Sequence, residues 1–293
     1  MGYFSEVSGF QKHYKLGILD RAILYFLYPI FKMHHWFYYG SVLEKNISRL
    51  FFLLLPSNQC LKIQCYSPSL GRKFSLPIWF VPDHLTSLLE IFWNHSYKLE
   101  VGWTPSCLVD AGANIGYSSL YLATQCGVKR ILAIEANSTL IPKLKYIAEI
   151  LKNHSIDLRI ADGALVGQSR TLVFEVHENS RDSSMQTVGP KGTQRITIQG
   201  YKLTEWQERL GFSKKDLEQN RLFKIDVEGA EYEIIEQDKE AFLNAHYLIA
   251  EVHGAQDKRN QFASELPTKF NIQKRLIPPA CDTVEVLYAS QLH

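Results

Sequence analysis

An alternation of short apolar segments with helical segments, in the part of the chain after Ser106, restricts the fold more than any other feature. The apolar segments 107–109, 131–134 and 222–225 are each followed by an acid, and amphipathic segments such as 141–152 lie between them. Strands that alternate with helices form βαβ units, whose strands lie parallel in one sheet. The sequence therefore predicts an α/β fold built around a mostly parallel sheet.

Residues 110–116 follow the first of these strands and open a helix, with the sequence Asp-Ala-Gly-Ala-Asn-Ile-Gly. Gly112 permits the sharp turn from strand to helix, and Gly116 permits a close approach of the helix to whatever lies in the turn. Asn114 takes the middle position, so the spacing differs from the GxGxxG pattern of dinucleotide-binding proteins. A carboxylate at Asp110 is unfavourable beside a pyrophosphate but suits the cationic amino-acid end of S-adenosylmethionine (SAM). These residues predict a SAM-binding turn.

The acids after the second and third strands are expected to face the same crevice, because ligands of open α/β sheets bind at the carboxyl ends of the strands. Glu135 lies about 20 residues after the glycine turn, where an acid can accept the ribose hydroxyls; alternatively, it caps the next helix. Asp162 ends the strand predicted at 158–160, and we expect it to accept a hydrogen bond from the adenine amino group. Backbone N–H groups near Gly163 would bind the ring. The alternative for Asp162 is an exposed turn.

Composition argues against several classes of protein. The 293 residues carry a formal net charge of +2, without the basic excess that is typical of nucleic-acid-binding proteins. The five cysteines form no CxxC pair, so we expect neither a zinc knuckle nor a redox dithiol, and a reduced, cytoplasmic compartment fits best. No signal-peptide layout begins the sequence. The longest apolar run, 22–31, is shorter than the about 20 residues that a membrane span needs.

Residues 1–58 are rich in aromatic side chains and predict a helical N-terminal appendage. Residues 19–55 are interpreted as two helices that break near Gly40. In one interpretation they pack on the core or on another subunit, and in the other they make peripheral contact with a membrane surface. No pattern in the sequence predicts the oligomeric state.

The remainder of the chain is expected to have two parts. Residues 59–104 predict a short β-hairpin with its turn at 68–71, followed by a helix at 84–95. Residues 105–293 predict the cofactor-binding domain.

A second motif narrows the prediction. Residues 224–231 have the sequence Lys-Ile-Asp-Val-Glu-Gly-Ala-Glu. Together with 110–116, this motif resembles the FkbM-type methyltransferases, and the resemblance extends over about residues 60–253. It implies a Rossmann-like class I methyltransferase fold, with a seven-stranded, mostly parallel sheet and helices on both faces. It also implies SAM as the donor and O-methylation of a sugar, glycan or secondary metabolite. Thr204 departs from the family pattern, which often has an acid there.

Four side chains are the candidates for the chemistry on the acceptor side. Asp226 ends a strand and is expected to face the methionine part of SAM or the acceptor, and Glu228 lies on the loop that follows. His253 is the preferred base because its unperturbed pKa of about 6.5 allows it to accept a proton near neutrality. Glu251 lies two residues earlier, on the same face of a strand, and is expected to orient His253.

Two interpretations of this region stay open. The leading prediction includes no metal, although the four acceptor-side residues have the ligand types for a divalent cation. Glu231 is expected to stabilise the N-terminus of its helix electrostatically. The polar segment 178–192 is predicted to cover the crevice, with Arg181, Ser183 and Ser184 contacting the acceptor, or else to be an exposed loop.

Two rival functions also follow from the pattern. One is a noncatalytic module with the SAM-binding fold that docks a partner through the N-terminal region, although such a module has no need of Asp110 and Glu135. The other is an NAD-dependent dehydrogenase, against which the acid before the glycine turn argues.

Overall fold

The computed structural model forms two compact units, Met1–Lys98 and Leu99–His293. The predicted lid 178–192, with its three candidate acceptor contacts, and most of the predicted helical segment 19–55 lie outside the described part of the chain. None of the helices in the described part has the length and hydropathy that crossing a bilayer requires. The structure describes residues 10, 13–23, 25, 29–30, 60–176, 194–212, 220–276 and 283–291.

In the first unit, strands β1 (Cys60–Ser67) and β2 (Arg72–Trp79) pair as an antiparallel hairpin, which confirms the predicted turn between them. Helix α1 (Pro82–Leu88) follows and continues as one π-helical turn, Leu89–Trp93. The inward-facing residues of β2 alternate with less buried ones at its start, as expected for a strand that covers a small core on one face.

The second unit contains the remaining strands and helices. The strands are β3 (Cys107–Ala111), β4 (Arg130–Glu135), β5 (Asp157–Asp162), β6 (Ala164–Leu165), β7 (Arg170–Val176), β8 (Gln194–Tyr201), β9 (Arg221–Ile225), β10 (Tyr247–His253), β11 (Phe270–Leu276) and β12 (Val284–Gln291). The helices are α2 (Tyr117–Cys126), α3 (Ile141–Lys152), α4 (Leu203–Arg209), α5 (Glu231–Gln237), α6 (Lys239–Leu243) and α7 (Gln256–Glu265).

Seven strands form one sheet in the order β11-β12-β10-β9-β3-β4-β5. Strand β12 is antiparallel to both of its neighbours, and the other pairs are parallel. Every residue of β3 and β9 is buried, so both faces of the sheet centre are covered, as in α/β proteins. The predicted α/β fold with a seven-stranded, mostly parallel sheet is confirmed.

The position of the site follows from the strand order. The chain runs from β3 outward to β5 on one side and then returns to β9 and β10 on the other. The order therefore reverses between β3 and β9, where Ala111 pairs with Ile225 at the carboxyl ends of the two strands. In open α/β sheets, ligands bind in the crevice at such a reversal.

A second, three-stranded sheet with the order β6-β8-β7 was not expected from the sequence. Strands β7 and β8 flank the segment that the sequence analysis treated only as a loop or lid. The side chains of β8 alternate between exposed and less exposed positions, which is typical of a strand with one solvated face.

Candidate active site

The glycine turn is held between β4 and β9 by the backbone. The N–H groups of Gly112 and Ala113 both donate to the carbonyl oxygen of Ile134 at 3.0 Å, and Asp226 N–H donates to the carbonyl of Ala111 at 3.1 Å. Gly112 has a φ of 73°, and a Cβ there would overlap the carbonyl oxygen of Asp226. Only glycine therefore allows the backbone of Asp226 to pass so close to the turn.

Gly116 begins helix α2 with a φ of 94°, and a Cβ there would lie 2.7 Å from Cδ1 of Leu144. Gly116 thus allows helix α2 to pack closely against helix α3. Asn114 also adopts a positive φ, of 51°, and its side-chain oxygen accepts a hydrogen bond from Ile115 N–H at 2.8 Å. Contacts of Gly116 and Asn114 with a cofactor stay predictions.

Asp110 does not line the crevice. It is fully buried, and its Oδ2 accepts hydrogen bonds from the hydroxyls of Ser118 and Ser119, both at 2.6 Å. Its Oδ1 lies 3.3 Å from Nζ of Lys224. A direct contact with the cofactor, as expected from the sequence, would require the carboxylate to leave these partners. The structure favours a role for Asp110 in holding the turn.

Lys224 is a site residue to which the sequence analysis gave no role. Its buried Nζ lies 3.4 Å from Oδ2 of Asp226 and donates to the carbonyl of Gly112 at 2.8 Å. Burial by itself lowers the pKa of this amine, but the carboxylates of Asp110 and Asp226 raise it above its ordinary value. A lysine between the apolar residues Phe223 and Ile225 of a predicted core strand was a usable signal, because buried charges are paired.

Glu135 supports the glycine turn. Its two carboxylate oxygens accept hydrogen bonds from the backbone N–H groups of Asn114 and Asn137, both at 2.7 Å. Burial raises its pKa to about 7, although the two N–H groups and Lys224 act in the opposite direction. Each carboxylate oxygen can accept more than one hydrogen bond, so the predicted contact with ribose is compatible with this arrangement.

Asp162 ends β5 and pairs in register with Glu135 at the end of β4, so the two acids are neighbours at one edge of the sheet. The side chain of Asp162 is exposed. The N–H of Gly163 donates to the carbonyl of Glu135 at 2.9 Å, and a Cβ on Gly163 would overlap the carbonyl oxygen of Gln199. The carboxylate of Asp162 is therefore accessible to a ligand, and its contact with adenine stays a prediction.

The four predicted acceptor-side residues come together at the ends of β9 and β10. Nε2 of His253 lies 3.3 Å from Oε2 of Glu228 and 3.9 Å from Oε1 of Glu251. One side-chain ligand atom each from Asp226, Glu251 and His253 lies within 4.8 Å of the others. Asp226 and Glu228 follow β9, and Glu251 and His253 end β10, so the parallel pairing of these strands brings all four to one edge of the sheet.

The residue that orients His253 is Glu231, and the expectation that Glu251 has this role was wrong. Glu231 is fully buried, and its Oε1 accepts hydrogen bonds from the backbone N–H of His253 at 2.8 Å and from Nδ1 at 3.0 Å. Its Oε2 accepts a hydrogen bond from Gly229 N–H at 2.8 Å. Glu251 lies beyond hydrogen-bond distance of the ring. Glu231 is also the first residue of α5, as its predicted electrostatic role requires.

The surrounding carboxylates change the titration of the cluster. Burial lowers the pKa of His253, but the hydrogen bond that Nδ1 donates to Glu231 and the charge of Glu228 outweigh this effect and raise the pKa to about 10. Burial and the charge of Asp226 raise the pKa of Glu228. The raised pKa favours the protonated form of His253 near neutral pH, and its role as the base stays a prediction. The cluster has more carboxylates than cations, which favours a positively charged ligand.

Comparison with models of protein families gives a match within the second unit. Residues 110–275 match the family model of the Methyltransferase FkbM domain. Among curated proteins, none matches the chain.

Three solved structures are similar to this chain at low sequence identity. The methyltransferase FkbM of Methylobacillus flagellatus is 16% identical with a TM-score of 0.45, over 70% of this chain and 51% of that chain. A tRNA methyltransferase of M. jannaschii is 12% identical with a TM-score of 0.40, over 82% and 59% of the two chains. A protein in the NADB-Rossmann superfamily from Streptococcus agalactiae is 15% identical with a TM-score of 0.39, over 67% and 70%. The chain thus spans about half the length of the Methylobacillus protein.

Proposed function

Because this chain belongs to the FkbM methyltransferase family, we propose that it transfers a methyl group from SAM to a hydroxyl oxygen of a sugar, glycan or secondary metabolite. The observation that carries this proposal is the group of acids around His253, which lies directly beside the glycine turn at the switch point of the sheet. This reaction needs a turn that binds a cationic donor, and it needs acids beside that turn that can take up a proton.

The donor would bind along the carboxyl ends of three strands. Glu135 accepts the ribose hydroxyls, and Asp162 with the N–H groups around Gly163 contacts the adenine. Asp226 contacts the amino group of the methionine part, because its carboxylate is partly exposed beside Gly112. Its neighbour Asp110, which is fully buried, acts on the donor only by fixing this turn.

The reaction is an in-line displacement. The acceptor oxygen forms a bond to the methyl carbon while the carbon–sulfur bond breaks, and its electrons stay on sulfur, giving S-adenosylhomocysteine. The hydroxyl proton passes to the ionised form of Glu228, whose side chain is 35% exposed and lies 3.3 Å from Nε2 of His253. His253, positioned by Glu231, stabilises that carboxylate by its charge. Alignment of the acceptor with the sulfonium supplies the main acceleration.

The charge of the site supports a neutral acceptor. Five carboxylates surround His253 and Lys224, so negative charge remains even when both of these residues are protonated. A phosphate or carboxylate close to the reacting oxygen would be repelled by these groups. This favours a hydroxyl of a sugar or metabolite over the polyanionic backbone of a nucleic acid.

Two measurements test the proposal. Calorimetry with purified protein is expected to show saturable heat for SAM and for S-adenosylhomocysteine, and the absence of heat for both would overturn it. Mass spectrometry of extracts incubated with protein and trideuteromethyl-SAM is expected to show a labelled neutral metabolite, absent with Glu228→Gln. Donor binding without any labelled product, together with a stable complex with another protein, would support the noncatalytic module instead.

A further inference from the structure

Three side chains at the ends of β9 and β10 have the spacing of a metal site. Asp226, Glu251 and His253 offer ligand atoms that all lie within 4.8 Å of one another. Ligand atoms of divalent cations lie about 2.0–2.5 Å from the ion, so two atoms on opposite sides are about 4–5 Å apart. One ion can therefore contact all three side chains.

The hydrogen bonds that hold His253 are a second observation, independent of those distances. They also favour a divalent cation as the ligand. Glu231, which is not one of the three, is fully buried and binds the ring at Nδ1. It is itself fixed by the backbone N–H groups of Gly229 and His253. Metal-binding histidines have this arrangement, in which a carboxylate holds one ring nitrogen and so directs the other at the ion. Here Nε2 is directed at the carboxylates of Glu228 and Glu251.

We propose that Asp226, Glu251 and His253 bind one divalent cation, with Glu231 positioning His253 and Glu228 next to the ion. Two carboxylates and one imidazole are donors that Mn²⁺ and related first-row cations accept. The cation would occupy the place of the proton on Nε2, since a histidine must be neutral to coordinate a metal.

The place of the ion suggests its use. It lies among the residues that face the acceptor, and a bound cation lowers the pKa of a hydroxyl that coordinates it. The hydroxyl proton would then pass more readily to Glu228. This use depends on the proposed methyl transfer, whereas binding of the cation does not and is measured separately.

Electron paramagnetic resonance with Mn²⁺ tests the site directly. Full-length protein, first treated with chelator, is titrated with Mn²⁺ in the absence of SAM, and free Mn²⁺ is read from its sharp signal. We expect one bound ion per chain. Glu251→Gln and His253→Ala are each expected to weaken binding by about 10-fold or more. Asp257→Asn, which removes an exposed acid from α7, should bind Mn²⁺ as the wild type does.

The outcomes separate this proposal from the proposed function. No retained Mn²⁺ at millimolar concentration, or equal affinity of Glu251→Gln and Asp257→Asn, would overturn the metal site. Calorimetry with SAM on the same chelator-treated samples reports whether the donor still binds. If the protein bound SAM but not Mn²⁺, the proposed metal site would be wrong and the proposed methyl transfer would be unaffected. Loss of folding in His253→Ala, detected by circular dichroism, leaves the test to Glu251→Gln.

Discussion

Glu231 accepts hydrogen bonds from both the backbone N–H and the ring Nδ1 of His253, at 2.8 and 3.0 Å. The two residues are 22 positions apart in the chain, on α5 and β10, and both lie at the carboxyl-end edge of the sheet. This pair fixes the orientation of the one imidazole among the acids of the site, and the first prediction follows from it.

Glu231→Gln is expected to lower the pKa of His253, because a neutral amide no longer stabilises the imidazolium. Methyl transfer should fall about 10- to 100-fold in kcat with the affinity for SAM little changed. Titration of the ring by nuclear magnetic resonance measures the pKa, and Glu236→Gln, an exposed position on the same helix, is the matched control. An unchanged His253 pKa in Glu231→Gln would contradict the assigned role.

Lys224→Met is expected to destabilise the fold by about 3–5 kcal/mol, because it leaves the buried carboxylate of Asp110 without its cation. The double variant Lys224→Met/Asp110→Asn should be more stable than the single Lys224→Met variant, since the fully buried carboxylate that lost its cation is then neutral. Urea unfolding of the wild type, both single variants and the double variant gives the coupling free energy. Additive effects of the two substitutions would show that the residues do not act as a pair.

The affinity for SAM should rise between pH 6 and pH 8. The pKa of Glu135 is raised to about 7 by burial, and only the ionised carboxylate accepts hydrogen bonds from both ribose hydroxyls. Calorimetry across this range should show the rise in the wild type. Glu135→Gln should bind SAM more weakly and without that pH dependence. If the affinity for SAM depended on pH in the same way in both proteins, Glu135 would not be the residue that binds the ribose.

The contribution of Glu135 to the stability of the fold should fall with rising pH, whereas the affinity for SAM rises. A carboxyl whose pKa is raised from 4.5 to about 7 on folding stabilises the protein fully below the lower value. That contribution is lost as the pH rises through about 7. The melting temperature of the wild type, relative to that of Glu135→Gln, should therefore fall between pH 5 and pH 8.

Gly112→Ala is expected to abolish SAM binding, because its Cβ would overlap the backbone of Asp226 and open the turn. Gly102→Ala is the matched control, since Gly102 also has a positive φ, of 89°, but has open space where a Cβ would lie. Both variants carry the strain of a positive φ, so only the close approach differs between them. Equal donor affinities in calorimetry would show that the contact with Asp226 is not required.

The strands and their terminal acids could be predicted because both depend on local sequence. Each core strand is a short apolar segment, and parallel topology brings Glu135, Asp162 and Asp226 to the same edge of the sheet. The glycine turn was equally predictable, since positive φ angles at Gly112 and Gly116 are a local requirement.

The pairing of buried charges could not be predicted in this way, because it depends on contacts between distant segments. Lys224 reaches the turn more than a hundred residues earlier in the chain, at the carbonyl of Gly112. Asp110 was expected in the crevice, but the hydroxyls of Ser118 and Ser119 hold it inside. The raised pKa of His253, the expected base, comes from carboxylates whose proximity only the fold creates.

The most direct test of the donor site is a crystal structure of the protein with S-adenosylhomocysteine. We expect the ribose on Glu135, the adenine beside Asp162, and the amino group on Asp226, with Asp110 still bound to Lys224. A ligand bound elsewhere, or bound in this crevice without contact to Glu135 and Asp226, would contradict the proposed binding of the donor.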